Sequence, residues 1–253
     1  MALENFTTYT EVDPNSHLTQ TAARSTFASL SSTEIAYLYK DKGVNYFAES
    51  FVFTFLFRLS ASEQGSAYAI SWMISNDLGE PVALMAASKS FFYMNHNHPN
   101  SPNELRMQLL EYDSGVGYSD GTNGYVHSLN TDYYCKITRD ESTGTYGTLK
   151  LQIYSDSAMT TLLNTQTITL HSSKKDFRYL FGTSSYNAGG VAKSASGYVD
   201  TMDYYIFTTA NPAVTQQEIT AIVTTTATAN GTVTALGVPA ATQHGACWKT
   251  TTT

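Results

Sequence analysis

The chain is short of the residues that bind polyanions, cross bilayers or staple small folds. Of 253 residues only 14 are Lys or Arg, against 21 Asp or Glu, which gives a formal net charge of −7. So few cations leave no footprint for neutralising phosphates, and nucleic acid is excluded as a partner. No apolar run approaches the roughly 18 residues that a membrane-spanning helix requires. Residues 1–10 hold no basic stretch leading into an apolar one, so they do not read as a secretory leader. Cysteine is almost missing. Cys135 and Cys247 are far apart and make no disulfide framework; both are expected to be buried thiols. Helical periodicity is scarce as well. Asn211-Pro212 offers an N-cap and a first helical position to one short helix reaching Glu218.

What is present is aromatic and strand-forming. Hydrophobic residues make up 42% and aromatics 13%, including 18 Tyr and 12 Phe, while charged residues are only 14%. That balance excludes disorder and suits a pleated, half-buried surface. The length fits one large β domain with a small addition. Period-2 alternation dominates. Phe51, Phe53, Phe55, Phe57 and Leu59 share one strand face, and Val52, Thr54, Leu56 and Arg58 the other. The rhythm recurs in Ile35, Tyr37, Tyr39, in Tyr68, Ile70, Trp72, Ile74, in Leu105, Met107, Leu109, and in Tyr133, Cys135, Ile137. It continues through Leu149, Leu151, Ile153 and through Phe177, Tyr179, Phe181 to residues 198–207. Gly-, Asp-, Asn- and Ser-rich turns punctuate it at 41–43, 76–79, 113–124 and 142–147. Short strands so spaced predict an all-β, antiparallel two-sheet jelly-roll sandwich over residues 1–210. Residues 211–253 differ: 13 are Thr, and Glu218 and Lys249 are the sole charges. They form a separate module or a short C-terminal β appendage.

Three segments carry a family likeness. Thr148 to Tyr154, with Ser155-Asp156 and then Thr161 to Thr165, resembles a late strand pair of laminin-G-like jelly rolls. Gly197 to Tyr205 is similar to the closing strand of that group, and Ser71 to Asn76 to a core strand with a buried Trp. Residues 30–207 therefore resemble the concanavalin A-like or laminin-G-like group. The likeness implies that the first and last strands pair and bring the domain ends together. In the tail, Ala227 to Thr234 and His244 to Trp248 resemble the opening half of a fibronectin type III-like repeat. A half repeat exposes Trp248 and a row of unpaired backbone groups, so residues 220–249 are expected to dock on the jelly roll or on a neighbouring chain.

No catalytic set is complete. Concanavalin A-like folds include glucanases with an E-x-D-x-x-E strand, whose carboxylates lie about 5 Å apart. Glu111-Tyr112-Asp113 begins that pattern, but position 116 is Val, and Glu104 falls on the opposite face from Glu111. His96 and His98, at i and i+2, share a side of an extended segment and suit zinc or copper; with no third ligand nearby, the default is an exposed polar loop. Asp113 to Asp120 offers carboxylates and loop carbonyls to calcium, which laminin-G-like domains hold at a rim; the alternative is a metal-free turn and no cofactor. Asn187-Ala-Gly-Gly190 is a turn without the context of a phosphate cradle. The N-x-T triplets at Asn5 and Asn230 matter only in a eukaryotic secretory route.

Tyr93, Tyr112, Tyr118, Tyr125 and Tyr186 lie in or beside loops, where aromatic planes take sugar rings and protein surfaces. The expected function is a non-catalytic module of an extracellular, cell-surface, fibre or virion protein. Its partner would be a glycan or cell-surface ligand, bound through Tyr93, His96, His98, Tyr112, Tyr118 and Tyr186. Two alternatives stand beside it: an assembly subunit that forms homo-oligomers through residues 211–253, and a polysaccharide hydrolase or lyase using Glu111 and Asp113.

Overall fold

Alternation along residues 51–59 needs a second layer. Phe51, Phe53, Phe55, Phe57 and Leu59 are all buried, whereas the residues between them are half-exposed. One apolar row of this kind must be covered by another sheet or by helices. The computed structural model describes residues 2–65, 67–99, 104–171, 176–187, 189–207, 213–216, 220, 228 and 231–235. The chain divides into a unit Met1–Ile206 and a unit Phe207–Thr253.

The first unit is an antiparallel two-sheet jelly-roll sandwich. One sheet runs β14 (Leu162–Thr169), β13 (Thr148–Tyr154), β12 (Tyr133–Asp140), β6 (Phe51–Ser62), β16 (Ser194–Ile206), β4 (Arg24–Ser31), β3 (Leu18–Gln20), with β1 (Ala2–Leu3) also on β16. The other runs β10 (Val116–Tyr118), β9 (Leu105–Asp113), β8 (Phe91–His98), β7 (Ala67–Ser75), β15 (Tyr179–Ser185), β5 (Tyr37–Asp41), β2 (Thr10–Val12), with β11 (Tyr125–His127) also on β9. Between the sheets lie the phenylalanines of β6, with Leu38, Trp72, Ile74, Phe92, Met94 and Leu180 from the second sheet. Trp72 is fully buried, as the sequence predicts for this strand.

The strands expected from the jelly-roll likeness are present. β13 and β14 form a hairpin whose turn is held by Asp156, which accepts from the Thr160 and Thr161 backbone N–H groups at 3.2 and 2.7 Å. The first and last strands of the unit pair: Ala2 faces Tyr204 and Leu3 faces Asp203. Gly197 lets β16 cross β6 at close range, since a Cβ there would collide with the Arg58 carbonyl oxygen and sit 2.8 Å from the Phe27 ring. The N-terminal segment is pinned by a buried ion pair. Lys42 Nζ donates to Glu4 at 2.7 Å, and Tyr9 OH donates to the same carboxylate at 2.8 Å.

Four expectations need correction. His96 and Asn95 are not in an exposed loop; both are buried in β8. Ile35 precedes its strand and is 49% exposed. A helix absent from the sequence reading, α1 (Pro81–Ala86), follows the 76–79 turn, with Pro81 in its first turn. In the second unit, β17 (Ala213–Gln216) is extended where a helix after Pro212 was expected, and it pairs with β18 (Gly231–Ala235). An isolated bridge joins Thr220 and Thr228. The appendage is thus β, but these strands do not support a fibronectin type III-like repeat. Cys135 is a buried thiol, and burial pushes its pKa above the usual range; Cys247 and Trp248 lie outside the described residues.

Candidate functional site

The second sheet has apolar side chains on both faces. Its outer face gathers Ile70, Met73, Phe91, Tyr93 and Phe181 as buried residues with Leu84 of α1. Around them lie half-exposed Tyr37, Tyr39, Tyr112, Tyr179 and Tyr186. The cause is in the sequence: Tyr37-Leu38-Tyr39, Tyr179-Leu180-Phe181 and Phe91 to Met94 are apolar at every position, so each strand gives one set to the interior and the next to the outside.

Helix α1 covers one part of this face. The Tyr112 hydroxyl donates to the Met85 carbonyl at 3.3 Å, the Tyr186 hydroxyl lies 3.7 Å from Met85 Sδ, and Tyr93 is 6.5 Å from Tyr186 between ring centroids. The tyrosines of β5 and β15 form a neighbouring aromatic group. Tyr39 meets Tyr179 edge-on at 5.8 Å, and both Tyr37 and Tyr39 lean on Phe181, at 5.8 and 6.1 Å. Burial raises the Tyr37 pKa, which keeps its hydroxyl protonated and able both to donate and to accept. At the border of the group, Arg178 Nε donates to Asp41 at 2.8 Å, and that pairing holds the exposed Asp41 carboxyl at about 2.

Polar groups continue the same face. Asn95 pairs with Gln108 and with Ile70 across the strands, Ile70 with Ser184, and Ser184 with Tyr37. Next in register, Asn97 faces Arg106. Among the described residues, three buried atoms here have no hydrogen-bond partner: Asn95 Oδ1, Asn97 Oδ1 and Arg106 Nε. Two acceptors and a donor without partners in one buried patch suit ordered water.

The residues singled out in the sequence are divided by the fold. Tyr93, Tyr112 and Tyr186 share the outer face under α1. His96 faces the interior, stacked on Phe57 at 3.6 Å, with Nε2 2.7 Å from Ser71 Oγ. A third imidazole, His127 from β11, stands 5.7 Å from it. Its position 31 residues after His96 hid it from a reading by local spacing. Burial holds the His96 pKa well below its ordinary value and His127 at about 4. Glu111 is also turned inward: its buried carboxylate accepts from the His171 backbone N–H at 3.0 Å, while Tyr118 stacks on the His171 ring at 3.7 Å. Asp113 accepts from the Ser90 hydroxyl. Asp120 caps its own turn, taking the Thr122 N–H at 3.0 Å and hydroxyl at 2.7 Å. Among the described residues no group of three or more His, Cys, Asp or Glu is arranged to hold a metal ion.

Tyr37, Tyr39, Tyr179 and Phe181 were read as core rather than as a surface. The available signal was the unbroken apolar run of Tyr37 to Tyr39 and of Tyr179 to Phe181. No helix among the described residues is long and apolar enough to cross a membrane.

The first unit is thus an antiparallel two-sheet jelly-roll sandwich whose second sheet carries tyrosines and amides on its outer face. Solved structures similar to the chain include the legume lectin-like domain from Entamoeba histolytica, at 14% identity and TM-score 0.47, covering 78% of this chain and 89% of that one. The VIP36 exoplasmic/lumenal domain in its Ca2+/Man-bound form is similar at 12% identity and TM-score 0.47, covering 88% of each chain. Alginate lyase Aly36B, as a mutant in complex with alginate trisaccharide, is similar at 14% identity and TM-score 0.46, covering 79% and 88%. No protein-family model matches the sequence, and no curated protein matches it.

Proposed function

We propose that the first unit is a non-catalytic carbohydrate-recognition module whose ligand lies on the outer face of the second sheet. The observation that carries this reading is the half-exposed tyrosine group Tyr37, Tyr39 and Tyr179, backed by buried Phe181. Half-exposed rings on a rigid sheet offer planes for the C–H faces of a sugar at small cost in side-chain entropy. Half-exposed Asn97, Arg106 and Gln108 supply polar side chains for sugar hydroxyls on the same face. The preferred ligand is a neutral, hydroxyl-rich glycan, because Arg106 is already paired with Glu104 at 3.1 Å and the chain carries −7 overall. A polyanionic glycan would meet repulsion at long range.

A glycan array read with the full chain, followed by calorimetric titration of the best hit, tests the reading. Tyr39→Ala and Tyr179→Ala should each weaken binding by roughly tenfold or more, the loss of one stacking contact worth about 1–2 kcal/mol. Unchanged affinity in both variants would remove this face as the site. Release of reducing ends or of unsaturated sugars by the wild type would overturn the non-catalytic reading.

A further inference from the structure

The sheet edges are protected unequally. Among the described residues the edge strands β2, β3, β10 and β11 hold three residues each. Short edges are one way a protein avoids pairing with others. The β14 edge is different. It runs eight residues, Leu-Leu-Asn-Thr-Gln-Thr-Ile-Thr, without charge, proline or glycine. Leu162 and Leu163 are 49% and 39% exposed. The strand is also anchored from within. Gln166, 1% exposed, crosses to the other sheet, where its Oε1 accepts from Leu109 N–H at 2.9 Å and its Nε2 donates to the Met107 carbonyl at 3.0 Å.

We infer that β14 is a dimer edge, onto which β14 of a second copy adds antiparallel about a two-fold axis. A second copy is the occupant this strand fits. Antiparallel self-pairing is closed, each residue exchanging roles with its mate, so neither β14 edge remains open to further growth. Two chains of net charge −7 can meet along a strand that sets no like charges opposite one another. The Gln166 clamp fixes the edge before the partner arrives, which lowers the ordering cost. One strand pair of this length buries less than the roughly 1,200 Å² of a standard interface, so the dimer is of the transient class.

Sedimentation velocity of the full chain over a roughly hundredfold concentration range is the test. The wild type should pass from monomer to dimer. Thr165→Lys with Thr167→Lys places charges on the edge and should weaken dimerisation at least about tenfold with little change in melting temperature. Hydrogen exchange on the wild type adds a measurement that needs no variant: backbone amides of 162–169 should slow as concentration rises. A wild type that stays monomeric overturns the proposal. So does a dimer that the lysines leave intact, or concentration-dependent protection that falls outside this strand, as in residues 211–253.

Discussion

His127 shows how one residue can set the acid limit of the protein. It is 6% exposed, near Phe57 and Tyr133, with His96 and His98 as its titratable neighbours from β8. Burial lowers its pKa from 6.5 to about 4, and His96 moves in the same direction. The unfolded chain therefore takes up these protons near pH 6.5 and the folded chain resists them. Stability is full above that pH and is lost as the pH falls toward 4, by about 3 kcal/mol for His127 alone. Thermal melts between pH 7 and 4 should show the decline, and His127→Phe should flatten part of it. An equal slope in the variant would assign the acid sensitivity to other groups. Gly197 supplies a second residue-scale prediction. Ala at this position must displace the Arg58 backbone or the Phe27 ring, so Gly197→Ala should lower stability by about 1–3 kcal/mol in a denaturant titration.

Among the elements, β9 and β14 depend on each other through Gln166. Its amide satisfies Met107 and Leu109 between the places where β11 and β10 pair with β9. Gln166→Leu leaves a buried N–H and a buried carbonyl open, each costing about 1–3 kcal/mol. The melting temperature should fall by several degrees, and a neutral result would mean that other groups satisfy this stretch. Nothing in the sequence marks that glutamine, because its partners lie 57 and 59 residues away. Strand identity was far easier to read. β6, β9, β12 and β13 each bury one face and present polar groups on the other, so period 2 identified them. β5, β8 and β15 carry apolar residues on both faces, and alternation cannot say which set is interior. The aromatic site was missed for that reason. Helix α1 was missed because six residues give too little periodicity to register. The His96–His127 contact needed three-dimensional pairing, since β11 reaches β8 only through β9.

Across the whole first unit, the ends are joined by chemistry as well as by strand pairing. Lys42 and Glu4 have side chains only 11% and 7% exposed, and the Lys42 ammonium lies 5.0 Å from the Tyr204 ring centre. This ties the N-terminal segment and β5 to the last strand. Lys42→Met should destabilise the unit by about 3–5 kcal/mol, because it strands the Glu4 carboxylate in a buried site. Adding Glu4→Gln should recover part of the loss, and chemical denaturation of the single and double variants measures it. A single variant as stable as the wild type would show that the carboxylate finds other partners.

The placement of β16 carries a consequence for synthesis. The last strand of the unit lies in the middle of its sheet, between β6 and β4. As the chain leaves the ribosome, β4 and β6 emerge long before the strand that separates and satisfies them. Until residues 194–206 arrive, each has one edge of unpaired backbone. Folding must wait for a contact spanning most of the unit, which makes it slow, and the waiting nascent chain is the form most exposed to aggregation and most in need of a chaperone.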